Sequence, residues 1–494
     1  MPELNIFRLK WTKLSSLALY LLALLVSFQT RLIITPGELA GGYFEYGTIS
    51  LYAIDFVFIF LLLVQAFLLF AKFKIKNLKL KITNRNLKFY SPLILGLLFI
   101  VVSALSVIGA EDRILAVYRL GWIFEGVFLF FLVVFSNYNI LKLFFFLGLG
   151  LSVQAGIAVW QFFSQSDFSS KWFGMALHKA EELGVSVIEV SNPGELPERW
   201  LRAYGALPHP NILGAAMAGA GLFCLYFLLS RRLKQGIEKR ISIAVLTLCF
   251  IAMLASFSRS AWLGFTVGYV IIFTGVLLRK NLLARKAMLE TILILGLVFF
   301  AFFGLYDDLV VVRIKGEGRL ENRSITERIS SSKEAWEIIK SSPLTGVGIG
   351  NYSLAQLRSQ RSEIVNRQSP ARSDTRSVSG GSIVNLYAWD FQPVHNAFLL
   401  VFAETGLFGL TAFIGFLLAV FYSLFALVPA SRSVELEGND TCLGKGKNAA
   451  VFGTAIMASL AVMMVFDHFW MSLHFGVLLS FLIPALVLRL KLED

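Results

Sequence analysis

Charged side chains are scarce in this sequence. Asp, Glu, Lys and Arg make up 16% of its 494 residues, against 56% hydrophobic ones. A soluble chain of this length would need far more charge to cover its surface, which excludes a water-soluble globular enzyme. Cysteine is rarer still, with three residues. Cys224 and Cys249 lie inside apolar runs and Cys442 in a polar loop, so neither a disulfide framework nor a CxxC metal site is available. No His, Asp or Cys set close in sequence has metal-ligand spacing, so neither a metal nor an organic cofactor is expected from spacing, and a metal assembled across the fold stays open. An internal repeat is also lacking, and with it the inverted halves of many transporters.

Long apolar runs fill the space that charge leaves. Stretches of about 20 residues recur, long enough to cross a hydrocarbon core as helices. About twelve spans are predicted, near 14–34, 49–71, 91–109, 116–136, 142–163, 206–229, 241–257, 260–278, 287–305, 406–428, 449–467 and 472–488. The first follows Arg8, Lys10 and Lys13 like a signal peptide, but it is long and has no convincing small-residue cleavage site. The expected class is an all-α polytopic membrane protein, a single membrane domain over 1–494.

The excess of basic residues sets the orientation. With the N-terminus inside, the cytoplasmic loops are 72–90, 137–141, 230–240, 279–286, 429–448 and the tail. Loop 72–90, KFKIKNLKLKITNRNLKFY, holds seven basic residues and no acidic one. Loops 230–240 and 279–286 are basic too, whereas the short loops on the other side carry Glu38, Glu45, Glu111 and Asp112 against Arg113. This is the positive-inside pattern, with both termini in the cytoplasm. The formal charge of +13 therefore points to anionic lipid and not to nucleic acid.

Two outside segments are too long to be connectors: 164–205 and 306–405. Within the second, SITERISSSKEAWEIIKSSP predicts an amphipathic helix over 324–340. Ser324 and Glu327 would form a capping box, and Ile325, Ile329, Trp336 and Ile339 an apolar face. The Arg/Ser-rich stretch 358–381 is expected to be flexible. GVGIG, 346–350, follows a helix and not a strand, so it reads as a close-approach turn and not a dinucleotide fingerprint.

An ionised residue at mid-membrane costs roughly 2.5–3.5 kcal/mol on insertion scales, so polar residues at span ends need a reason. Four clusters stand out, all at outer ends. RWLRAYGALPHPNILG, 199–214, contains Arg202, His209 and Asn211; interface snorkelling and a proline-initiated helix would account for them structurally. SFSRSAWLG, 256–264, puts Arg259 in a tight turn on the side where arginine is uncommon. PVHNAFLLVFAETG, 393–406, places His395 and Asn396 before Glu404 on a short outer helix, either as a site or as satisfied structural groups. FDHFWMSLHFG, 466–476, carries Asp467, His468 and His474; Asp467 could simply pair with an arginine. Asp55, Glu125 and Glu290, inside spans, read as interhelical hydrogen-bond partners. Together the clusters describe an outer pocket with arginines for phosphate oxygens and a histidine able to take a proton from a hydroxyl.

In this order, RAYGALPHPNILG, SFSRSAWLG, PLTGVGIGNY, HNAFLLVFAETGLFGL and FDHFWM resemble the O-antigen ligase/polymerase superfamily, over about Arg199 to Met471. That resemblance implies a GT-C-like helical fold and a metal-independent, inverting transfer of a glycan from undecaprenyl pyrophosphate, at the outer face of the cytoplasmic membrane. It maps the pyrophosphate-binding arginines onto Arg202 and Arg259, with Arg328 as a further one, and the acceptor-activating base onto His395. Asn211, Asn396, Glu404 and Asp467 would support them; nothing is carried over to His209. The acceptor is lipid A core in a ligase, a lipid-linked repeat in a polymerase, or a protein. The rival from another class is a transporter or flippase for a lipid-linked glycan, which needs polar residues along a route through the membrane and not gathered at one face.

Overall fold

The structure, a computed structural model, describes residues 2–73, 84–136, 138–190, 197–230, 236–278, 281–316, 318–368, 387–426 and 447–493. The chain is mostly helical. The helices are α1 (Pro2–Leu25), α2 (Ala53–Phe73), α3 (Asn84–Ser106), α4 (Arg113–Phe135), α5 (Ile140–Ser164), α6 (Pro210–Leu229), α7 (Ile237–Ala255) and α8 (Arg259–Leu277). They continue as α9 (Leu282–Leu305), α10 (Asp307–Lys315), α11 (Arg319–Ser341), α12 (Tyr352–Gln368), α13 (Ala397–Ala426), α14 (Lys447–Phe466), α15 (Phe469–Ser472) and α16 (His474–Glu493). Among the described residues, nine helices are long and apolar enough to cross a membrane, and this is an all-α polytopic membrane protein. Each of the twelve expected spans overlaps a helix, but several boundaries move, and three of the shifts have a visible cause. Residues 31–35 leave the first helix and pair as β1 (Arg31–Thr35) with β4 (Ile49–Tyr52), and the short strands β2 (Glu38–Leu39) and β3 (Gly42–Tyr43) pair between them. The second span accordingly starts at Ala53. The tenth starts at Ala397, nine residues early, because Asn396 caps it: Asn396 Oδ1 accepts from Leu399 N at 3.0 Å.

Between apolar helices in lipid, close backbone approach replaces the hydrophobic effect as the source of cohesion. Gly264 and Gly268, one turn apart on α8, let α14 come in. A Cβ on Gly264 would lie 3.1 Å from the Ser459 carbonyl oxygen, and one on Gly268 would lie 3.2 Å from that of Ala455. The α3–α13, α4–α16 and α6–α7 pairs are the other broad interfaces. α16 is enclosed nearly all round, whereas α9 lies at the rim with Leu293, Leu297 and Phe300 exposed. Glu290 on α9 pairs with Lys239 on α7 at 2.7 Å, an interhelical partner as its place within a span suggested. The basic residues Arg231, Arg232, Lys234, Arg279 and Lys280, part of loop 72–90, and Cys442 lie outside the described residues.

The segments joining α1 to α2, α3 to α4, α5 to α6, α7 to α8, α9 to α13 and α14 to α16 meet at one end. Thr30 Oγ1 bonds the Trp172 carbonyl, Asp112 N bonds Asn351 Oδ1 at 2.7 Å, and Arg119 reaches the Tyr46 and Ser472 carbonyls at 2.6 and 2.5 Å. A hairpin of β5 (Val187–Val190) and β6 (Glu198–Leu201) leads into α6. Arg319 at the start of α11 binds its Glu189 at 2.9 Å.

Three expectations for this end need correction. The amphipathic helix begins at Arg319 after Gly318, which has φ +107, and no side chain caps it. Ser324 and Glu327 are therefore interior, and Glu327 accepts instead from Arg323 one turn earlier. The buried face is Ala335, Ile338 and Ile339, while Ile325, Ile329 and Trp336 remain exposed. The stretch 358–381 is not irregular throughout: α12 continues to Gln368, and 369–386 lie outside the described residues.

GVGIG is a close-approach turn, as its sequence suggested. It lies against a break in α13, where Gly406 has φ 67 and ψ −171, a conformation reserved almost wholly for glycine. Val347 N and Gly348 N bond the Ala403 and Glu404 carbonyls at 2.9 Å, and Leu407 N bonds the Pro343 carbonyl at 2.9 Å. A Cβ on Gly346 would stand 2.3 Å from the Glu404 carbonyl carbon, and one on Gly406 2.1 Å from the Leu344 carbonyl oxygen. Gly406→Ala should thus lower the melting temperature in detergent by several degrees, since backbone on both sides must move. Gly148→Ala on α5, where a Cβ meets open space, should leave it unchanged. Equal melting of the two variants would contradict this packing.

Candidate active site

The turn SFSRS between α7 and α8 organises the loop end. Phe257 is fully buried and adopts φ +48, an uncommon conformation for a bulky residue. Its ring packs against Phe162, Trp262 and Phe302, which holds the backbone there. The consequence is that two successive carbonyls serve two arginines. Arg202 Nε donates to the Ser256 carbonyl at 2.8 Å, and Arg313 Nε to the Phe257 carbonyl at 2.7 Å. Ser258 then caps α8, its Oγ accepting from Ala261 N, and Arg259 follows as the first helical residue.

A carboxylate lies on each side of this turn. Glu321, from the first turn of α11, bonds Arg313 through Oε1 and faces Arg259 Nη2 at 3.3 Å through Oε2. Asp467, just past α14, accepts from Asn211 Nδ2 at 2.9 Å and Ser260 Oγ at 2.5 Å. Asn211 is a bridge, because its Oδ1 accepts from Arg202 at 2.8 Å. Burial pushes the Asp467 carboxyl up, opposed by Arg328 and by its own hydrogen bonds. Burial, then repulsion from Arg313, pushes Arg202 down; Arg313 is lowered by burial and by Arg259 and Arg328 despite Glu321. The guanidinium groups thus crowd one another. Arg328 Nε is buried and makes no hydrogen bond among the described residues.

His395 sits in the turn that Asn396 closes before α13. Its ring lies 5.1 Å from that of His468, whose Nδ1 is 2.7 Å from Ser472 Oγ. Burial, and then Arg328, lowers His395 to about 4, so the imidazole is neutral at physiological pH. Its Nδ1 is buried with no partner among the described residues. A buried polar atom left unpaired costs about 1–3 kcal/mol, which a bound group would relieve. His209 caps α6 through Nδ1, which accepts from Asn211 N at 3.1 Å, and its Nε2 is 3.1 Å from Ser186 Oγ. Its lowered pKa reflects burial first and then Arg202, His395, Arg313 and Arg328, which places it beside the same cluster.

The sequence clusters at Arg202, Asn211, Arg259, His395 and Asp467, and Arg328, which the resemblance alone suggested, are therefore brought together. Glu404 serves a different purpose. Its carboxylate receives the backbone N–H groups of Gly350 and Tyr352 and faces Arg119, and so it fastens the glycine turn to the break in α13. Arg313, Glu321, Ser260 and His468 join the site without having been singled out as functional residues. Arg313 and Glu321 stand in a mixed-charge stretch, RIKGEGRLE, that reads as solvated surface. His468, next to Asp467 at a span end, carried the same signal as its neighbour.

Four guanidinium groups around two carboxylates and a neutral imidazole can hold a doubly charged anion and take a proton beside it. Removing Glu321 tests how the cluster is balanced. Glu321→Gln should cost about 3 kcal/mol or more of stability, because a buried arginine loses its partner. The check is the shift of a denaturation midpoint in detergent; an unchanged midpoint would contradict the pairing.

No curated protein matches this chain. Residues 243–414 match the family described as O-antigen ligase, a stretch that includes Arg259, Arg313, Glu321, Arg328 and His395. Over that stretch the chain is similar to the O-antigen ligase/polymerase superfamily.

Proposed function

We propose that the chain is a glycosyltransferase that moves a glycan from undecaprenyl pyrophosphate to an acceptor hydroxyl, with lipid A core or a similar surface glycan as acceptor. The carrying observation is the excess of guanidinium groups beside a neutral imidazole that has no Nδ1 partner among the described residues, at one end of a helical membrane bundle. Within this reading the protein has twelve spans in a GT-C-like arrangement. The loop end faces outward from the cytoplasmic membrane, as the basic loops on the other side argue.

The residues divide the work. Arg202 and Arg259, with Arg313 and Arg328 behind them, bind the pyrophosphate and stabilise the charge it gains as leaving group. Asn211 and Asp467 hold Arg202 and the SFSRS turn in register. His395 takes the proton of the acceptor hydroxyl as its oxygen bonds to the anomeric carbon. The bond to the pyrophosphate oxygen breaks on the opposite side, its electron pair leaves with the lipid pyrophosphate, and the configuration inverts. No step requires a metal. The exposed Ile325, Ile329 and Trp336 of α11 offer an apolar wall for the lipid or the acceptor. A polymerase or a protein glycosylating enzyme would use the same groups with another acceptor. A flippase would need a continuous polar route along the bundle, and here the guanidinium cluster lies at one end.

His395→Ala should lower turnover of a lipid-pyrophosphate-linked oligosaccharide by about 100-fold or more, the range for loss of a general base. Arg259→Ala should lower it by a similar factor through the leaving group. Both variants should still insert and purify. Wild-type product from either would overturn the assignment.

The pH profile gives an independent reading. A histidine lowered to about 4 is a free base above that pH and loses this capacity as pH falls through it. The acid limb of kcat/KM, which reports the free enzyme, should therefore lie below about pH 5. A limb centred near the ordinary histidine value of about 6.5 would contradict His395 as the buried base.

A further inference from the structure

A second polar cluster, sharing no residue with the arginine site, lies inside the helical bundle. Asp55 is in the first turn of α2, Glu125 is midway along α4, and His474 opens α16. His474 Nε2 is 2.7 Å from Glu125 Oε2 and 3.4 Å from Asp55 Oδ1, and one ligand atom from each residue lies within 4.8 Å of the other two. Asp55 is 7% exposed and His474 1%.

Two features of this cluster are unexplained by packing or hydrogen bonding. Asp55 Oδ2 accepts from Tyr52 N at 2.7 Å, but Oδ1, aimed at His474, makes no hydrogen bond among the described residues. The single hydrogen on a neutral His474 Nε2 already faces Glu125. The charges do not balance either. Arg31 is committed to Glu45, and Arg119, which donates to the Ser472 and Tyr46 carbonyls, faces Glu404. Two carboxylates in apolar surroundings are costly unless two positive charges or protons offset them, and a protonated His474 supplies one.

We propose that Asp55, Glu125 and His474 bind a divalent first-row cation, Zn²⁺ or Mn²⁺, which ties α2, α4 and α16 together beneath the arginine site. With a neutral imidazole, the ion and the two carboxylates sum to zero charge. Ligand atoms about 2.0–2.2 Å from a metal stand roughly 3–3.5 Å apart, close to the spacing here. One nitrogen and two oxygen donors suit Zn²⁺ or Mn²⁺ rather than a thiophilic ion. The Tyr52 and Trp122 rings, 4.4 and 5.2 Å from the imidazole ring, fix its plane. Asp55 adjoins β4, so the ion enters from the loop end. None of the proposed ligands contacts the groups assigned to the transfer reaction, and the ion takes no part in it. Its role is to set α16, and with it the Asp467–Ser472 turn.

The test uses the full chain purified in detergent and stripped with a chelator. Titration with Co²⁺, read by its visible absorption, and with Zn²⁺, read by calorimetry, should give one site per chain and a raised melting temperature. Glu125→Gln keeps the side-chain shape, and its stripped form should melt like the stripped wild type. It should lose at least about 10-fold in affinity and lose the metal-induced shift, as should Asp55→Asn. Absence of saturable binding to the wild type, or equal affinity in Glu125→Gln, would overturn the proposal and leave a hydrogen-bonded triad sharing protons.

Discussion

The site depends on the backbone of one turn. In SFSRS, a buried phenylalanine held at positive φ presents the Ser256 and Phe257 carbonyls to Arg202 and Arg313. The next residues complete the arrangement: Ser258 caps α8, Arg259 reaches Glu321, and Ser260 reaches Asp467. Four of these five consecutive positions thus engage partners from the exit of β6, α10, α11 and the end of α14, and the fifth caps α8 itself. The aromatic packing of Phe257 is what offsets the strained backbone. Carbonyl dipoles orient the arginines without neutralising them, so their charge remains available to a ligand.

The same economy runs through the arginine cluster, where most polar groups are satisfied by a partner from a distant segment. Arg328 Nε and His395 Nδ1 are buried there without hydrogen-bond partners among the described residues. Glu404 differs because it has backbone N–H partners and an arginine nearby. It holds the glycine turn between α11 and α12 against the break in α13.

Span positions were legible because a 20-residue apolar run has few other uses. Boundaries were less so where an apolar sequence is not helical: RLIIT is as apolar as a span end but pairs as a strand, and Ala397 to Thr405 precede a break that composition cannot announce. The cap residue Asn396 was the available clue. Within the site, Arg202, Arg259 and His395 stood out because they contrast with apolar neighbours. Arg313 and Glu321 did not, since in a charged loop a buried ion pair and a solvated one have the same sequence. The apolar face of α11 was assigned wrongly for a related reason: three of its four residues remain exposed, so periodicity did not report burial.

The central claim is that guanidinium groups at the loop end receive a lipid pyrophosphate. The most direct measurement is photo-cross-linking with a polyprenyl pyrophosphate carrying a diazirine on its first isoprene unit, followed by peptide mapping. The account predicts adducts within 199–214, 256–264 and 319–341, competed away by unlabelled polyprenyl pyrophosphate. Competable adducts concentrated in 72–90 or 230–240, at the opposite end of the bundle, would contradict it.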